Sequence, residues 1–135
     1  MKRTVVQKHS RGCGLACIAF VLEVKYSKIA KFVRQSKKLK DGLTCREIVN
    51  ILGNFGKSYS YKYLKPRLLK DIYQDNVIVY IKKSRDYPSG HYLVYSDNLW
   101  MDPWINFTQS RKISEAKSGW RKSLPGKPIY VLFPS

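Results

Sequence analysis

Hydrophobic and polar positions divide the chain into a helical first half and a strand-rich second half. The segment CGLACIAFVLEV is apolar on every side, which predicts a buried central helix that begins near Cys13. The segment YSKIAKFVRQSKK places Ile29, Phe32 and Val33 on one face and lysines on the other, with Ser27 as a suitable N-cap. These patterns predict a buried helix followed by an amphipathic one.

Two further segments carry helical signals. In GLTCREIVNILGNFG, Thr44 and Glu47 fit a capping box, and Ile48 and Leu52 belong to an apolar stripe. The segment KPRLLKDIY predicts a short helix with Pro66 in its first turn.

The second half changes to the period of strands. NVIVYIKK is a nearly continuous β-branched run typical of a buried strand, and GHYLVYSDNLWMDPW predicts two strands joined at SDN. KPIYVLFP predicts a closing strand, the alternation in YSYKY suits another, and SEAKSGWRKSL predicts a short helix. Helices followed by mostly antiparallel strands indicate an α+β fold. We expect residues 1–135 to form a single domain, since 135 residues suit one.

Composition adds a strong positive charge to this picture. The formal net charge is +17, from 26 Lys and Arg against 9 Asp and Glu. This excess favours polyanions, anionic membrane surfaces or acidic protein partners. The longest apolar run ends at Glu23 and is too short to span a bilayer, and no apolar signal region follows the basic N-terminus.

The cysteines indicate a reducing environment. The sequence has three cysteines, which is an odd number, and no secretory signal precedes them. These features predict free thiols and a cytoplasmic location. Cys13 and Cys17 lie one helical turn apart, but no CxxC or histidine pair completes a ligand set, so we expect no metal and no cofactor. Cys17 and Cys45 are interpreted as core thiols.

Cys13 is the candidate nucleophile. A helix N-terminus stabilises a thiolate, and the glycines on both sides let the backbone turn sharply and approach a substrate. A nucleophilic thiol needs a base. His9 lies in a polar segment and is interpreted as an exposed loop residue, whereas His91 begins an apolar strand, from which it can reach a cleft. The alternative for His91 is a histidine at the edge of the core.

His91 in turn needs an acceptor to orient it, either Asp97 in the predicted turn or Asp102 among apolar neighbours. If DN is a two-residue hairpin loop, Leu93 pairs with Asp102, and His91 shares a sheet face with Asp102 on the diagonal. A four-residue loop places the two directly opposite each other. A three-residue loop places them on opposite faces unless a bulge intervenes.

Gln7 stands six residues before Cys13. Its side-chain amide and the Cys13 backbone N–H are candidate donors to the oxyanion of an acyl transfer. Considered alone, Gln7 is an ordinary surface residue.

In this order, Gln7, GCGLAC with Cys13, GHYLVY with His91 and MDP with Asp102 resemble the bacteriocin-processing cysteine peptidase family. These are the double-glycine leader peptidases of the papain-like clan, and the resemblance extends over residues 5–133. It implies a papain-like α+β fold with N-terminal helices packed on an antiparallel sheet. By the same resemblance Cys13 is the nucleophile, His91 the general base and acid, Asp102 the residue that orients His91, and Gln7 an oxyanion-hole donor.

The implied function is a cysteine peptidase that cleaves a peptide or protein substrate, such as a leader peptide after Gly-Gly or a small residue, through a thioester. Arg11 and Gly12 stand where the family often has an acidic residue, and the Arg11 cation favours a thiolate and changes substrate preference. Family members form N-terminal domains of ABC exporters, but this sequence has no transmembrane span and no Walker motif. A free-standing peptidase, or one that works with a separate transporter or membrane partner, is expected, and an acidic substrate is one option.

Two other functions stay open. The charge, 10 tyrosines and the segment SYSYKYLKPR suit a nucleic-acid-binding module, although the charge is spread along the chain. The other is an inactive relative, or one that carries out deamidation or acyl transfer, which share the thioester step.

Overall fold

The computed structural model describes residues 2–35 and 39–135. Its α-helices are α1 (Cys13–Leu22), α2 (Tyr26–Arg34) and α3 (Cys45–Asn54). Its strands are β1 (Tyr59–Tyr63), β2 (Ile78–Ile81), β3 (His91–Ser96), β4 (Leu99–Asp102), β5 (Gly119–Arg121) and β6 (Pro128–Pro134). Short 3₁₀ helices cover Pro66–Ile72 and Ile113–Glu115.

Helix α1 is the centre of the fold, as its apolar sequence predicts. Every residue from Gly14 to Val21 is buried, and the helix packs against α2, α3 and β3. The residue after its end, Glu23, is the C-cap; it adopts the left-handed conformation with φ 56°, and its backbone N–H closes the last turn. Burial of this helix fixes the position of its first residue, Cys13.

The two other helices test the predicted caps. The capping box of α3 is confirmed, because Thr44 Oγ1 accepts from the Glu47 N–H and the Glu47 carboxylate accepts from the Thr44 N–H. The predicted Ser27 cap is wrong. Helix α2 begins at the buried Tyr26, the residue before Ser27, so Ser27 lies inside the helix. The predicted helix also included residues 36–38, which lie outside the described residues.

The strands form one antiparallel six-stranded sheet in the order β1-β6-β2-β3-β4-β5. The closing strand β6 inserts between β1 and β2. Helices α1 to α3 cover one face, with Ile78, Val94 and Met101 pointing into that core. The opposite face carries a second core around Leu93 and Trp100. The α+β prediction is therefore confirmed.

The hairpin between β3 and β4 has a two-residue loop. Asp97 and Asn98 have φ values of 53° and 66°, as a type I′ turn requires. Val94 pairs with Met101. The same register, continued by one residue, places Leu93 opposite Asp102. Of the three loop lengths considered, the shortest is confirmed, and it places His91 and Asp102 on one face of the sheet.

The segment SEAKSGWRKSL differs from its predicted helix. Only Ile113–Glu115 is helical, and the following residues form strand β5, which pairs with β4. The Trp120 ring packs edge-on against Phe20 of α1, with centroids 5.8 Å apart. Tertiary packing of this aromatic ring outweighs local helix propensity. As a result, Arg121 pairs with Trp100 of β4 and shares a face of the sheet with Asp102, two residues further along β4.

Candidate active site

An open cleft of about 900 Å³ lies where the N-termini of α1 and α3 meet the start of β3. Three of the four predicted site residues line it: Gln7, Cys13 and His91. The fourth, Asp102, is fully buried behind His91, with 0% of its surface exposed. The structure therefore brings all four predicted residues to one place.

Cys13 is the first residue of α1 and is half-buried. Its backbone N–H precedes the first intrahelical hydrogen bonds, which leaves it free to donate into the cleft. The preceding Gly12 cannot carry a side chain, because a Cβ there would lie 2.2 Å from the Tyr26 hydroxyl. The close approach of Tyr26 fixes the turn that presents Cys13.

His91 is the first residue of β3 and is 5% exposed. The chain enters the strand through Gly90, which has φ +71° and lies so close to the Tyr80 hydroxyl that a Cβ would be 2.1 Å from it. The Tyr87 ring stacks on the imidazole, with centroids 5.0 Å apart and an interplanar angle of 20°. The imidazole is thus held between protein groups, as positioned catalysis requires.

His91 and Asp102 are in direct contact. His91 Nε2 lies 2.6 Å from Asp102 Oδ1, and the same oxygen accepts from the Trp104 backbone N–H at 2.9 Å. The Cys13 thiol lines the same cleft and is near enough to the imidazole to help raise the pKa of His91. Because Nε2 faces the carboxylate, Nδ1 is the ring nitrogen that is left for a nucleophile. This is the order of a nucleophile, base and orienting acid.

The two ionisable partners stabilise each other's charged form. Burial alone would lower the pKa of His91, but hydrogen bonds to Asp102 and Cys13, together with their charges, outweigh it and raise the pKa to about 9. Burial would raise the pKa of Asp102, but the contacts with His91 and Arg121 outweigh it and lower that pKa. At neutral pH the pair is imidazolium and carboxylate.

Arg121 and Tyr87 also belong to the site, and the sequence interpretation missed both. Arg121 Nε donates to Asp102 Oδ2 at 2.6 Å, and Nη2 donates to the Tyr87 hydroxyl at 3.3 Å and the Ile105 carbonyl at 3.1 Å. Assigning GWR to a helix hid this arginine. Pairing GWR with LWMD as neighbouring antiparallel strands, in the observed register, places Arg121 on the same face as Asp102, as its diagonal neighbour.

Gln7 is almost fully buried, with 2% exposed. Its Nε2 donates to the carbonyl oxygens of His9 at 3.0 Å and Ser10 at 3.2 Å, which ties the turn before Cys13. Among the described residues, Gln7 Oε1 and Trp104 Nε1 are buried without a partner. Gln7 is thus at the cleft, but its amide nitrogen is directed at backbone carbonyls.

The other candidates lie in different surroundings. His9 Nδ1 is 2.8 Å from the Tyr26 hydroxyl, so this histidine packs on α2 and does not line the cleft. Asp97 is exposed at the hairpin turn. Cys17 is fully buried, as expected, and burial raises its pKa. Cys45 differs from the expected core thiol: it is half-buried, begins α3 and lines the cleft.

The cleft rim is positively charged. Among residues 2–35 and 39–135, the cations Arg11, Arg46, Lys83 and Arg111 line it, against the single carboxylate of Asp41. A concave surface with an excess of one sign concentrates ligands of the opposite sign.

Two negative findings apply to residues 2–35 and 39–135. Within these ranges, no group of three or more His, Cys, Asp or Glu side chains is placed to hold a metal ion. Nor does any helix there have the length and apolar character to cross a membrane.

Comparison with known proteins agrees with this geometry. Residues 1–105 match the model of the Peptidase C39 family. Among solved structures, the chain is similar to the peptidase domain of Streptococcus ComA, a bi-functional ABC transporter involved in a quorum-sensing pathway. The TM-score is 0.61 at 22% identity, over 98% of this chain and 97% of that domain, which shows a common fold. No curated protein matches the chain.

The matched region includes Gln7, Cys13, His91 and Asp102 and covers well over half of the chain. The chain therefore belongs to the Peptidase C39 family and is a cysteine peptidase with the papain-like α+β fold.

Proposed function

We propose that residues 1–135 act as one peptidase domain that cleaves a peptide through a Cys13–His91–Asp102 triad and a thioester intermediate. The observation that carries this proposal is the buried 2.6 Å contact between His91 and Asp102, with Cys13 at the N-terminus of α1 lining the same cleft as His91. The elements that hold these residues are rigid: a buried helix and two paired strands. Such placement is what keeps a nucleophile and its base aligned.

The reaction has two stages. The Cys13 thiolate attacks the carbonyl carbon, and the His91 imidazolium gives its proton to the leaving amine as the C–N bond breaks. Neutral His91 then takes a proton from water, whose oxygen attacks the thioester, and the C–S bond breaks to restore the thiolate. Asp102 stays ionised throughout and stabilises the imidazolium. Since the pKa of His91 is about 9, we expect turnover to fall as the pH rises through that value.

The oxyanion needs donors where its charge develops. The Cys13 backbone N–H is one donor. Gln7 is the proposed second donor, supported by its burial at the cleft and the position of its amide beside the turn that carries Cys13. This role requires one amide N–H to exchange a backbone carbonyl for the oxyanion. Gln7→Glu, which keeps the shape and removes the donor, should reduce kcat by about 10²-fold or more.

A peptide backbone suits the cleft because each peptide unit supplies both a hydrogen-bond donor (N–H) and a hydrogen-bond acceptor (C=O). Gln7 Oε1 and Trp104 Nε1 are an acceptor and a donor that lack partners among the described residues, and both residues line the cleft. The large aromatic side chains of Tyr80, Tyr92 and Trp104 line the same cleft as Cys13. They favour small residues such as Gly-Gly at the scissile bond.

The substrate is proposed to be acidic outside the cleaved bond, because the described part of the cleft rim carries four cations against one carboxylate. Cleavage of Gly-Gly peptides with Glu-rich flanks should exceed that of Lys-rich ones, and added salt should reduce the difference. Lys83→Gln should raise KM for the Glu-rich peptide. Lys122→Gln, which removes the same charge outside the cleft, should not.

A separate membrane transporter is the proposed partner. The support is the similar domain in Streptococcus ComA, which is described as a bi-functional ABC transporter, and a cytoplasmic location follows from the same proposal. Co-purification of the tagged protein with a membrane transporter in a detergent extract would support it. Recovery without any transporter would favour a free-standing peptidase.

The mechanism is tested with Cys13→Ala, assayed by mass spectrometry on Gly-Gly peptides, with Cys45→Ala as the control thiol at the same cleft. We expect turnover to disappear only in Cys13→Ala. Full activity of Cys13→Ala contradicts the mechanism. Release of ammonia from glutamine peptides, or amide products formed with added amines, would instead indicate deamidation or acyl transfer.

Nucleic-acid binding is proposed only as a secondary activity. Tyr61 and Tyr63 of edge strand β1 are 38% and 59% exposed and flank Lys62, as in surfaces that stack single strands. Tyr63→Ala should weaken single-stranded RNA binding at physiological salt. Binding that is unchanged by this substitution and vanishes with salt reflects net charge alone.

A further inference from the structure

We propose that Arg121 is a positioning residue for the peptidase reaction, because it connects the carboxylate beneath His91 to the aromatic ring that covers it. The inference rests on the proposed triad. Arg121 lies outside residues 1–105, the region matched by the family model.

The arginine reaches both sides of the imidazole. Its Nε donates to Asp102 Oδ2 at 2.6 Å, while Oδ1 of the same carboxylate faces His91 Nε2 at 2.6 Å. Its Nη2 donates to the hydroxyl of Tyr87 at 3.3 Å, and the Tyr87 ring stacks on His91. One planar guanidinium therefore fixes the rotation of the carboxylate and the position of the stacked ring.

A third contact fixes the guanidinium itself. Arg121 Nη2 also donates to the Ile105 carbonyl at 3.1 Å, and strand β5 pairs with β4, which carries Asp102. The side chain is 26% exposed and does not line the cleft. Arg121 is thus placed to act on His91 through Asp102 and Tyr87 without touching the peptide.

The arrangement also sets the charge felt by His91. Among the described residues, the charged or titratable groups that act on the imidazole are Cys13 of α1 and Asp102 of β4, and Tyr87 of the loop before β3 stacks on it. Arg121 of β5 contacts Asp102 and Tyr87, and Asp86 adjoins Tyr87. Arg121 is the cation among them, and it shares the Asp102 carboxylate with the imidazolium. Removing this cation leaves the whole carboxylate charge to His91, so the imidazolium becomes more stable.

The test uses variants that separate charge from geometry. Arg121→Gln removes both the positive charge and the branched guanidinium donors. Arg121→Lys keeps the positive charge but cannot donate to all three acceptors at once. Tyr87→Phe keeps the ring that stacks on His91 but removes its hydroxyl. Lys122→Gln is the matched control, since it removes an equal charge from the adjacent, exposed position.

The first readout is the His91 titration by NMR, which is simple because the chain has only two histidines. It needs no substrate, so it remains informative even if the proposed peptidase activity is absent. We expect Arg121→Gln to raise the pKa of His91 by about one unit, since a neighbouring charge shifts a pKa by about 1 to 3 units. Arg121→Lys and Lys122→Gln should leave it near the wild-type value.

The second readout is steady-state cleavage of a Gly-Gly peptide. Arg121→Gln should lower kcat about tenfold or more, a part of the 10²- to 10⁴-fold that positioned acid–base catalysis contributes, with little change in KM. Tyr87→Phe and Arg121→Lys should show smaller losses of kcat. If Arg121→Gln does not fold, these two variants carry the same test.

The proposal is overturned if Arg121→Gln unfolds at a lower temperature while its His91 titration and kcat match the wild type, because that result indicates a purely structural role. It is equally overturned if Lys122→Gln produces the same shift as Arg121→Gln. If the wild type has no peptidase activity but Arg121→Gln still shifts the pKa of His91, the proposed function is contradicted. The proposed effect of Arg121 on His91 then still holds.

Discussion

Replacing Asp102 by Asn should remove the pH dependence of stability that His91 creates. Asp102 is completely buried and accepts from His91, Trp104 and Arg121. Asparagine keeps the shape but replaces one acceptor oxygen by a donor and removes the charge. Burial then acts on His91 without its counterion, so that the pKa of His91 falls below its ordinary value.

The magnitude follows from the titration of His91 in the wild type. Its pKa rises from 6.5 to about 9 on folding, and at about 1.4 kcal/mol per unit this corresponds to about 3 kcal/mol. Because the folded pKa is the higher one, this stabilisation is fully present below pH 6.5 and is lost as the pH rises through about 9. Between these values, the free energy of unfolding should fall by at most about 1.4 kcal/mol per pH unit.

The assay is urea unfolding followed by tryptophan fluorescence, in reducing buffer, at intervals from about pH 6 to pH 9.5. Burial raises the pKa values of Cys17 and Cys45, so ionisation of the unfolded thiols also lowers stability near the upper end of the range. These thiols are present in both proteins and cancel in the difference. The control is Asp97→Asn, which removes the same charge from the exposed turn of the same hairpin.

The stability difference between wild type and Asp102→Asn should be largest near pH 6 and shrink by about 3 kcal/mol at the upper end. Asp97→Asn should follow the wild-type curve. Parallel curves for wild type and Asp102→Asn over the whole range would refute the ion pair. The same variant should lose most of its turnover, because neutral, poorly oriented His91 no longer protonates the leaving group.

Two further predictions concern how the backbone presents the site. Gly90→Ala should lower both the melting temperature and the turnover, since Gly90 has φ +71° and the new Cβ would lie 2.1 Å from the Tyr80 hydroxyl. Thermal unfolding and peptide cleavage measure the two effects. If neither changes, the close contact between Gly90 and Tyr80 does not hold His91 in place. Thr44→Ala should destabilise the protein by about 1 kcal/mol in urea unfolding, because it removes the capping box of α3. Thr44→Ser keeps the hydroxyl and should lose little, and equal losses in both variants would contradict the cap.

Local signals were sufficient for the elements that present the proposed triad. The apolar run after Cys13, the capping box at Thr44 and the two-residue loop at Asp97 each depend on neighbours within a few residues. The length of the loop sets the register of the hairpin, and that register places His91 and Asp102 on the same face of the sheet. This is why the central contact of the site could be predicted from the sequence.

Long-range contacts account for what could not be predicted. Arg121 meets Asp102 because β5 pairs with β4, and that pairing depends on Trp120 packing against α1. No pattern within SEAKSGWRKSL contains this information. Likewise, Cys45 lines the cleft because of where α3 docks, and the direction of the Gln7 amide depends on the folded turn around His9.

The most direct test of the proposed triad is the rate of iodoacetamide labelling at each cysteine as a function of pH, resolved by mass spectrometry. We predict that Cys13 labels rapidly at pH 6, that Cys17 and Cys45 do not, and that His91→Ala slows only Cys13. In the proposed triad the His91 imidazolium favours the nucleophilic form of Cys13, whereas burial raises the pKa values of the other two thiols. Equal, slow labelling of Cys13 and Cys45 at pH 6, unaffected by His91→Ala, would contradict the account.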